Sequence, residues 1–457
     1  MTSAIKRARN WNRFISLIVL PSSIVIYSSG VNAADESQFD AATDMASERF
    51  AVHGQATYVE QQTHSFRAPY GGPNSLTPNQ GRETTDATLY LGARVWPGAE
   101  LWVTPEVDQG FGLGNTVGLA GFSSGEAYKV GKSRPYLRLP RAFVRQTINS
   151  DDTYEDVDAD QLQLAGSRSV DRWVFSVGKF SVTDVFDTNQ YAHDPRSDFL
   201  NWTAVDAGSF DYAADAWGFS VGAAAEWYQG LWTLRTGVFD LSNVPNSPHL
   251  EPGFHEFQID SEIEHRHELR EQPGRILVTV FDSRGRMGLL AQAIQVAAAS
   301  GDHVDIAAVR QYRSRLGASV DLEQQVNADL GVFARVGKGA GNVETYEFTD
   351  IDRSASAGVS IKGSAWHRNA DTIGIAGIVN GISATREQYL NAGGLGILVG
   401  DGKLPHPGAE QIIETYYKLA VIPHVDLSLD YQWVKNPAYN TDRGPVSIIA
   451  VRLHAQL

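Results

Sequence analysis

Hydrophobic and polar residues alternate along this chain with a period of two, in runs of about ten residues that come in pairs. Leu89, Leu91, Ala93 and Val95 interleave with Tyr90, Gly92, Arg94 and Trp96. Pro97-Gly98 turns the chain, and Leu101, Val103 and Val107 then interleave with Trp102, Thr104, Glu106 and Asp108. A strand sends successive side chains to opposite faces, so Arg94, Glu106 and Asp108 fall on one face and the aliphatics on the other. The same reading predicts strands over 173–180, 217–227 and 231–239. It predicts a charged strand, 262–269, turned by Pro273-Gly274 into 276–280, and a pair ending at Leu322 and starting at Asp329. Residues 416–421 and 425–434 pair around Ile422-Pro423-His424. The last run sets Ile449, Val451, Leu453, Ala455 and Leu457 against Ala450, Arg452, His454 and Gln456, and predicts a strand closing against 50–59.

Tight turns follow one member of each pair and longer polar or Gly-rich stretches follow the other. Two of the longer stretches carry helical character. Ser383 caps Arg386-Glu387-Gln388 and Tyr389-Leu390 before Gly393-Gly394 stops the run, and 289–299 is apolar with Gln292 and Gln295 interposed. No repeat of fixed length appears beyond the hairpin period.

Lys6, Arg7, Arg9 and Arg13 precede an apolar stretch from Phe14 to Ile26, and Val31-Asn32-Ala33 ends it with small residues. That order of parts is a secretory signal peptide, with cleavage expected after Ala33. Pro21 and the serines weigh against a membrane-anchor helix. After the leader no run of about 18 apolar residues occurs, so a mature chain living in a membrane must cross it as a closed barrel. The expected organisation is a signal peptide over 1–33, a short periplasmic segment over 34–48 and a barrel over 49–457. At about 26 residues per strand with its share of turn and loop, the barrel holds about 16 antiparallel strands, with 18 as the alternative. Short turns face the periplasm and long loops the exterior, with one or two short loop helices.

Composition agrees. The chain has 457 residues, 43 Gly and 46 aromatic residues (10 Trp, 17 Tyr, 19 Phe) but no Cys. Aromatics and Gly suit strands and turns, and the lack of Cys removes disulfides and thiolate sites together. A formal charge of -15 opposes a nucleic-acid partner, which needs clustered basic surface. A mean hydropathy of -0.24 suits a barrel in which only alternate residues meet lipid.

Several segments resemble the carbohydrate-selective porins of the OprB family. They begin with Val52-His53-Gly54-Gln55-Ala56-Thr57, Thr88-Leu89-Tyr90-Leu91-Gly92-Ala93 and Gly110-Phe111-Gly112-Leu113. Ala120-Gly121-Phe122 and Gly125-Glu126-Ala127-Tyr128-Lys129 follow. The most specific piece runs from Gly178-Lys179-Phe180 through Asp184-Val185-Phe186-Asp187, Asp194-Pro195-Arg196 and Phe199-Leu200-Asn201-Trp202 to Phe210-Asp211-Tyr212-Ala213-Ala214-Asp215. Gly393-Gly394-Leu395-Gly396 and Asn436-Pro437-Ala438-Tyr439-Asn440 complete the set. The resemblance implies an outer-membrane barrel of about 16 strands in a Gram-negative bacterium, reached by Sec-type export, that lets glucose-like sugars diffuse through without an energy source. It implies outer-membrane lipid and the barrel assembly machinery as partners, monomer and homotrimer both remaining open. Two residues depart from the family pattern. Leu457 stands at the end where Phe or Trp is usual, which weakens the expected signal to the assembly machinery, and His367-Arg368 replaces an expected Gly-Arg.

A sugar is neutral and carries hydroxyls above apolar C–H faces. A channel favouring it needs rings to stack on those faces and charges of both signs to exchange hydrogen bonds, held weakly enough to release. Arg134, Arg138, Arg141 and Arg145 offer a basic ladder, Arg141 and Arg145 sharing a face with Phe143. Glu106 and Asp108 are the expected acidic counterpart across the pore, and Arg94 joins them on the lumen face. Together they read as a mixed-charge eyelet, or else as generic lumen-facing charges; the lipid face would cost each Arg about 2–4 kcal/mol near midplane. The 184–215 segment reads equally as an inward-folded constriction loop or as an external loop ordered by its own Asx turns. It offers Trp202, Phe199 and Tyr191 for stacking. A general or anion-preferring porin without sugar selectivity is the alternative function. Gly110-Phe111-Gly112-Leu113-Gly114 lacks the Lys-Ser/Thr of a phosphate loop, and no nucleophile elbow or HExxH zinc motif appears. His255, Glu256, His265 and His267 read as solvated barrel residues rather than a metal site. No enzyme and no cofactor are expected.

Overall fold

The computed structural model describes residues 48–127 and 129–457, so the expected leader over 1–33 and all but the last residue of the 34–48 segment lie outside it. Numbered in chain order, the strands are β1 (Phe50–Thr63), β2 (Gly81–Trp96), β3 (Ala99–Gly110), β4 (Lys132–Asn149), β5 (Tyr154–Val157) and β6 (Gly166–Ser169). There follow β7 (Arg172–Phe180), β8 (Ser220–Gln229), β9 (Trp232–Asp240), β10 (Phe257–Leu269), β11 (Gln272–Met287) and β12 (Gln311–Gln325). The last are β13 (Leu330–Gly339), β14 (Arg353–Gly363), β15 (Arg368–Gly381), β16 (Glu410–Ile422), β17 (Val425–Lys435) and β18 (Val446–Gln456). All but β5 and β6 join in one closed antiparallel barrel of sixteen strands among the described residues, and those two pair with each other. The expected strand number and closure are observed: β18 pairs with β1 from Gln55↔Gln456 to Thr63↔Ile448. Leu457 extends this seam, its carbonyl accepting from the Gly54 N–H at 3.0 Å and its N–H donating to the Gly54 carbonyl at 2.8 Å.

The alternation is read out inside-out relative to a soluble protein. Leu89, Leu101, Ile263, Ile413, Leu429 and Ile449 are exposed on the outer face, as in barrels that cross a membrane. Thr57, Asp86, Glu106, Glu262, Glu414 and Arg452 are buried inside. Trp96, Trp173, Trp227 and Trp232 sit at the short-turn ends of their strands, and Trp173 stacks on Trp227 with centroids 5.9 Å apart, as in an interfacial aromatic girdle.

Connections 97–98, 230–231, 270–271, 326–329, 364–367 and 423–424 are short and share one end of the barrel, the periplasmic end in this architecture. Two expectations shift here. The turn between β10 and β11 is Arg270-Glu271, with φ of 53° and 63°, and not Pro273-Gly274, which continue the ladder opposite Glu268 and His267. Two consecutive left-handed residues make the type I′ geometry that matches strand twist, so the ladder closes three residues before the Pro-Gly signal. The strand expected from Trp217 begins only at Ser220. His367 has φ 63° in its short turn, a conformation that suits the expected Gly and that His, one of the few side chains enriched there, also adopts.

One connection on this end is long. Residues 150–171 carry the β5–β6 hairpin and then turn 158–165 into the lumen. Arg145 donates to the Leu162 carbonyl at 2.7 Å, Arg94 to the Ala165 carbonyl at 3.3 Å, and Leu164 is buried. This inner segment has no counterpart in the sequence-based reading.

At the other end the loops fold inward. Both expected loop helices form there, α2 (Leu290–Ser300) and α3 (Ala384–Asn391), the latter capped by Ser383 Oγ accepting from the Arg386 N–H. A third, α1 (Trp202–Val205), is capped by Asn201 within the 181–219 loop, and that loop lies almost wholly inside the barrel. The constriction reading is therefore the one the structure adopts. The loop is held by the wall, carboxylates and amides taking its N–H groups. Glu262 accepts from Asp187 N–H (2.8 Å), Glu323 from Gln190 (2.6 Å), Gln258 from Ala213 (2.6 Å), and Glu414 from Leu200 (2.5 Å) and Asn201 (3.1 Å). Wall arginines take its carbonyls: Arg335 that of Ala204 (2.8 Å), Arg452 those of Pro195 (2.6 Å) and Asp198 (2.8 Å). Gly331 makes room for it, since a Cβ there would lie 2.1 Å from the Tyr191 ring.

Replacing Glu414 by Ala strands two buried N–H groups at about 1–3 kcal/mol each. The barrel should still migrate as a heat-modifiable folded species, while limited proteolysis should cut within 181–219, a segment protected in the wild type. Equal protection in both proteins would show that the loop does not need this anchor.

Candidate functional site

One wall of the main cavity in the lumen is built on β3 and β4. Glu106 stands directly opposite Arg138, yet Thr104 stands opposite Arg141, so three steps along β4 match two along β3. This bulge, next to Pro105 and Pro140, turns both Arg138 and Arg141 inward although a spacing of three would put them on opposite faces. Arg138 bonds both Asp108 and Glu106, and Thr88 Oγ1 donates to Glu106 at 2.6 Å. The acids are thus cross-strand partners on the same wall, not an opposing row across the pore as the sequence suggested. Adjacent strands lie too close for opposite charges on one face to remain apart.

Arg141 reaches the inward loop. Its Nε and Nη2 donate to Asp184 at 2.8 and 2.6 Å, a bidentate pair. Asp184 also accepts from the Ser181 N–H at 2.9 Å, completing a capping box. Burial alone would raise the Asp184 carboxyl; Arg141 and the Ser181 N–H outweigh it and hold the group below its ordinary range. From the loop, Arg196 lies 3.5 Å from Glu126, 3.6 Å from Asp86, 3.8 Å from Glu106 and 4.0 Å from Asp194. Each of these three arginines therefore has a carboxylate partner. Lys129 contacts Glu347 at 3.3 Å and lies over the Phe348 ring at 4.2 Å. Burial, offset in part by Lys129, pushes the Glu347 carboxyl up to about 8. His193, pushed down to about 4 by burial and then by Arg335, contributes a neutral ring.

These groups surround a cavity of about 280 Å³, lined among others by Tyr90, Arg141, Arg196, Trp202, Trp217 and Phe219. That is just under the roughly 300–1,000 Å³ of drug-sized ligand sites. Trp202 stacks on Phe122 at 5.0 Å and leans on Tyr212 and Phe348 at 5.5 and 5.9 Å, its Nε1 having no partner among the described residues. The Arg141 and Arg138 guanidiniums lie 4.8 and 5.2 Å from the Phe219 ring centre.

Of the residues singled out by sequence, Arg138, Arg141 and Trp202 line the cavity, and Glu106 and Asp108 back it through Arg138. Arg94 and Arg145 do not line it; they sit lower, 3.9 and 3.6 Å from Glu100, holding the 158–165 segment. Arg134 is exposed and belongs to no inner ladder. Phe199 is sealed between Phe333 and Tyr416, and Tyr191 packs over Gly331, so neither is free to stack on a solute. His265 packs on Trp232 at 4.3 Å, and His255 lies beside Glu251. Arg196, Lys129, Phe122 and Phe219 were not selected from sequence, although the first three lie in family segments. They sit off the strands, where no period tells which way a side chain points.

The family model for the carbohydrate-selective porins of the OprB family matches residues 74–457. No curated protein matches the sequence. Among solved structures, the chain resembles the high-pH structure of Pseudomonas putida OprB at 14% identity, over 90% of this chain and 94% of that one, with a TM-score of 0.68. It also resembles the outer-membrane channel DcaP of Acinetobacter baumannii at 12% identity, over 90% of this chain and 98% of that one, with a TM-score of 0.49. At these identities the first likeness speaks for the fold.

Arg138→Ala leaves Asp108 without its cation and Glu106 with only Arg196, 3.8 Å away. The reversal potential across a salt gradient should move toward cation preference relative to wild type; an unchanged potential would show that ions do not sense this pair.

Proposed function

The chain belongs to the OprB family of carbohydrate-selective porins, outer-membrane channels of Gram-negative bacteria rather than enzymes, and on that footing we propose that it passes neutral sugars of glucose size by diffusion through the waist cavity. The observation that carries this is the cavity itself: mixed-sign hydrogen-bonding groups and the Trp202 ring around about 280 Å³. Hydroxyls both donate and accept, so they exchange with Arg141, Arg196 and Asp184 without displacing a whole ion. The part of the Trp202 ring that lines the cavity, left open by its stack on Phe122, meets the C–H surface. The pairing of every waist arginine speaks against the anion-preferring alternative, since an anion gains little from a guanidinium already held by carboxylate. The proposal includes Sec-type export behind the 1–33 leader, insertion by the barrel assembly machinery, lipid around the outward aliphatic band, and function as a monomer or homotrimer.

Single-channel current through the refolded protein in a planar bilayer tests it. Glucose should reduce the current saturably, and a disaccharide should do so less. Trp202→Leu, which keeps an apolar filler in the aromatic cluster, should raise the half-blocking concentration about tenfold, equivalent to about 1.4 kcal/mol. Current indifferent to glucose would reduce the protein to a general diffusion porin.

A further inference from the structure

The inward segment 158–165 divides the lumen on the periplasmic side of the waist. Gln161, whose Nε2 donates to Gln55 Oε1 at 2.8 Å, lines the waist cavity and also a second one of about 360 Å³. This second cavity lies between the segment and the inner wall of β17, β18 and β1. His53, Asp160, His424, Asp426, His454 and Gln456 face it.

Its polar groups are largely unspent. His53 Nε2 is buried with no partner among the described residues. His454 uses Nδ1 with Thr57 Oγ1 at 3.1 Å, which leaves its second ring nitrogen. The side chains of His424, Asp426 and Gln456 make no hydrogen bond to another described residue. A neutral imidazole supplies one donor and one acceptor, a carboxylate accepts only, and an amide does both, which is the complement of a set of hydroxyls. No group of three His, Asp or Glu side chains among the described residues is placed to hold a metal ion, so a polyol suits the cavity better than a cation. No Trp, Tyr or Phe lines it. Recognition here is by hydrogen bonds without stacking, and so weaker than at the waist.

We propose that this periplasmic vestibule is a second sugar station, in which a neutral monosaccharide leaving the waist is held by His53, His424, Asp426 and His454 before release. The inference rests on the sugar-porin reading. Two weak stations in series let the first release while the second holds, the arrangement that favours throughput in channels.

The test uses the full refolded channel, inserted in known orientation, with glucose added on the periplasmic side. Wild type is compared with Trp202→Leu, with the double variant His424→Asn/Asp426→Asn, and with all three changes together. Asn tolerates the left-handed turn position of His424 (φ 67°), and sugar-free conductance reports that the barrel is intact. Trp202→Leu should retain a weak glucose block. The double variant alone should weaken periplasmic-side binding about threefold to tenfold, the scale of one or two hydrogen bonds. The triple variant should block more weakly than Trp202→Leu by the same threefold to tenfold. Complete loss of block in Trp202→Leu, or an unchanged double variant, would overturn the vestibule station and leave the sugar-porin reading standing. No block in wild type would overturn both.

Discussion

The hydrogen bonds between the inner wall and the backbone of the folded-in loops are the interaction on which the rest of this barrel depends, because a loop placed in the lumen gives up water at most of its amides. Each buried N–H left unpaired costs about 1–3 kcal/mol, and the 181–219 loop brings many of them inside. The wall answers with acceptors at inward positions: Glu262, Glu323, Glu414 and Gln258 for this loop, and Glu410 for the Ala120 and Gly121 N–H groups of the neighbouring one. Arg335 and Arg452 answer its carbonyls. In a soluble sandwich the same inward positions would be aliphatic. Here the aliphatics face outward, and the polar face is free to act as a template that folds the loops.

Once those loops are fixed, the waist acquires its charge pattern as a consequence. Arg141 can be bidentate to Asp184 only because the 181–184 turn is capped and held against β4. Arg196 meets carboxylates from β2, β3 and the 111–131 loop only because the inward loop carries it to them. The product is a constriction with many charges and little unbalanced field. Such a surface offers a hydroxylated solute many partners, while an ion entering it finds each arginine already engaged.

The two ends of the barrel narrow the lumen differently. At the external end, long loops are pinned by wall carboxylates. At the periplasmic end a single segment, 158–165, hangs from Arg94, Arg145 and Gln55 by side-chain bonds to its backbone and to Gln161. Fewer bonds hold it, and the groups beneath it are left unsatisfied. That contrast distinguishes the external end of the lumen, where many wall groups pin the loops, from the periplasmic end.

Strand count, closure of 446–457 against the first strand, both loop helices and the outward aliphatic face of 89–107 and 449–453 were legible in the sequence. A period of two is a local property, and a closed barrel makes it global. The Arg270-Glu271 turn was missed because two ordinary residues can adopt left-handed geometry when the ladder on either side requires it, whereas Pro-Gly advertises a turn that need not be used. Of the site, the sequence by itself put Glu106 and Asp108 on one face of their strand and offered Arg138 and Arg141 as lumen candidates; the bulge that turns both arginines inward came only with the tertiary structure. It left undecided whether 184–215 folds in or out, and it could not place Arg196, Lys129 or Phe122 beside Trp202. Those choices belong to residues outside the regular strands, whose orientation is set by the distant wall groups that bind their backbone. Only the closed barrel brings those wall groups within reach.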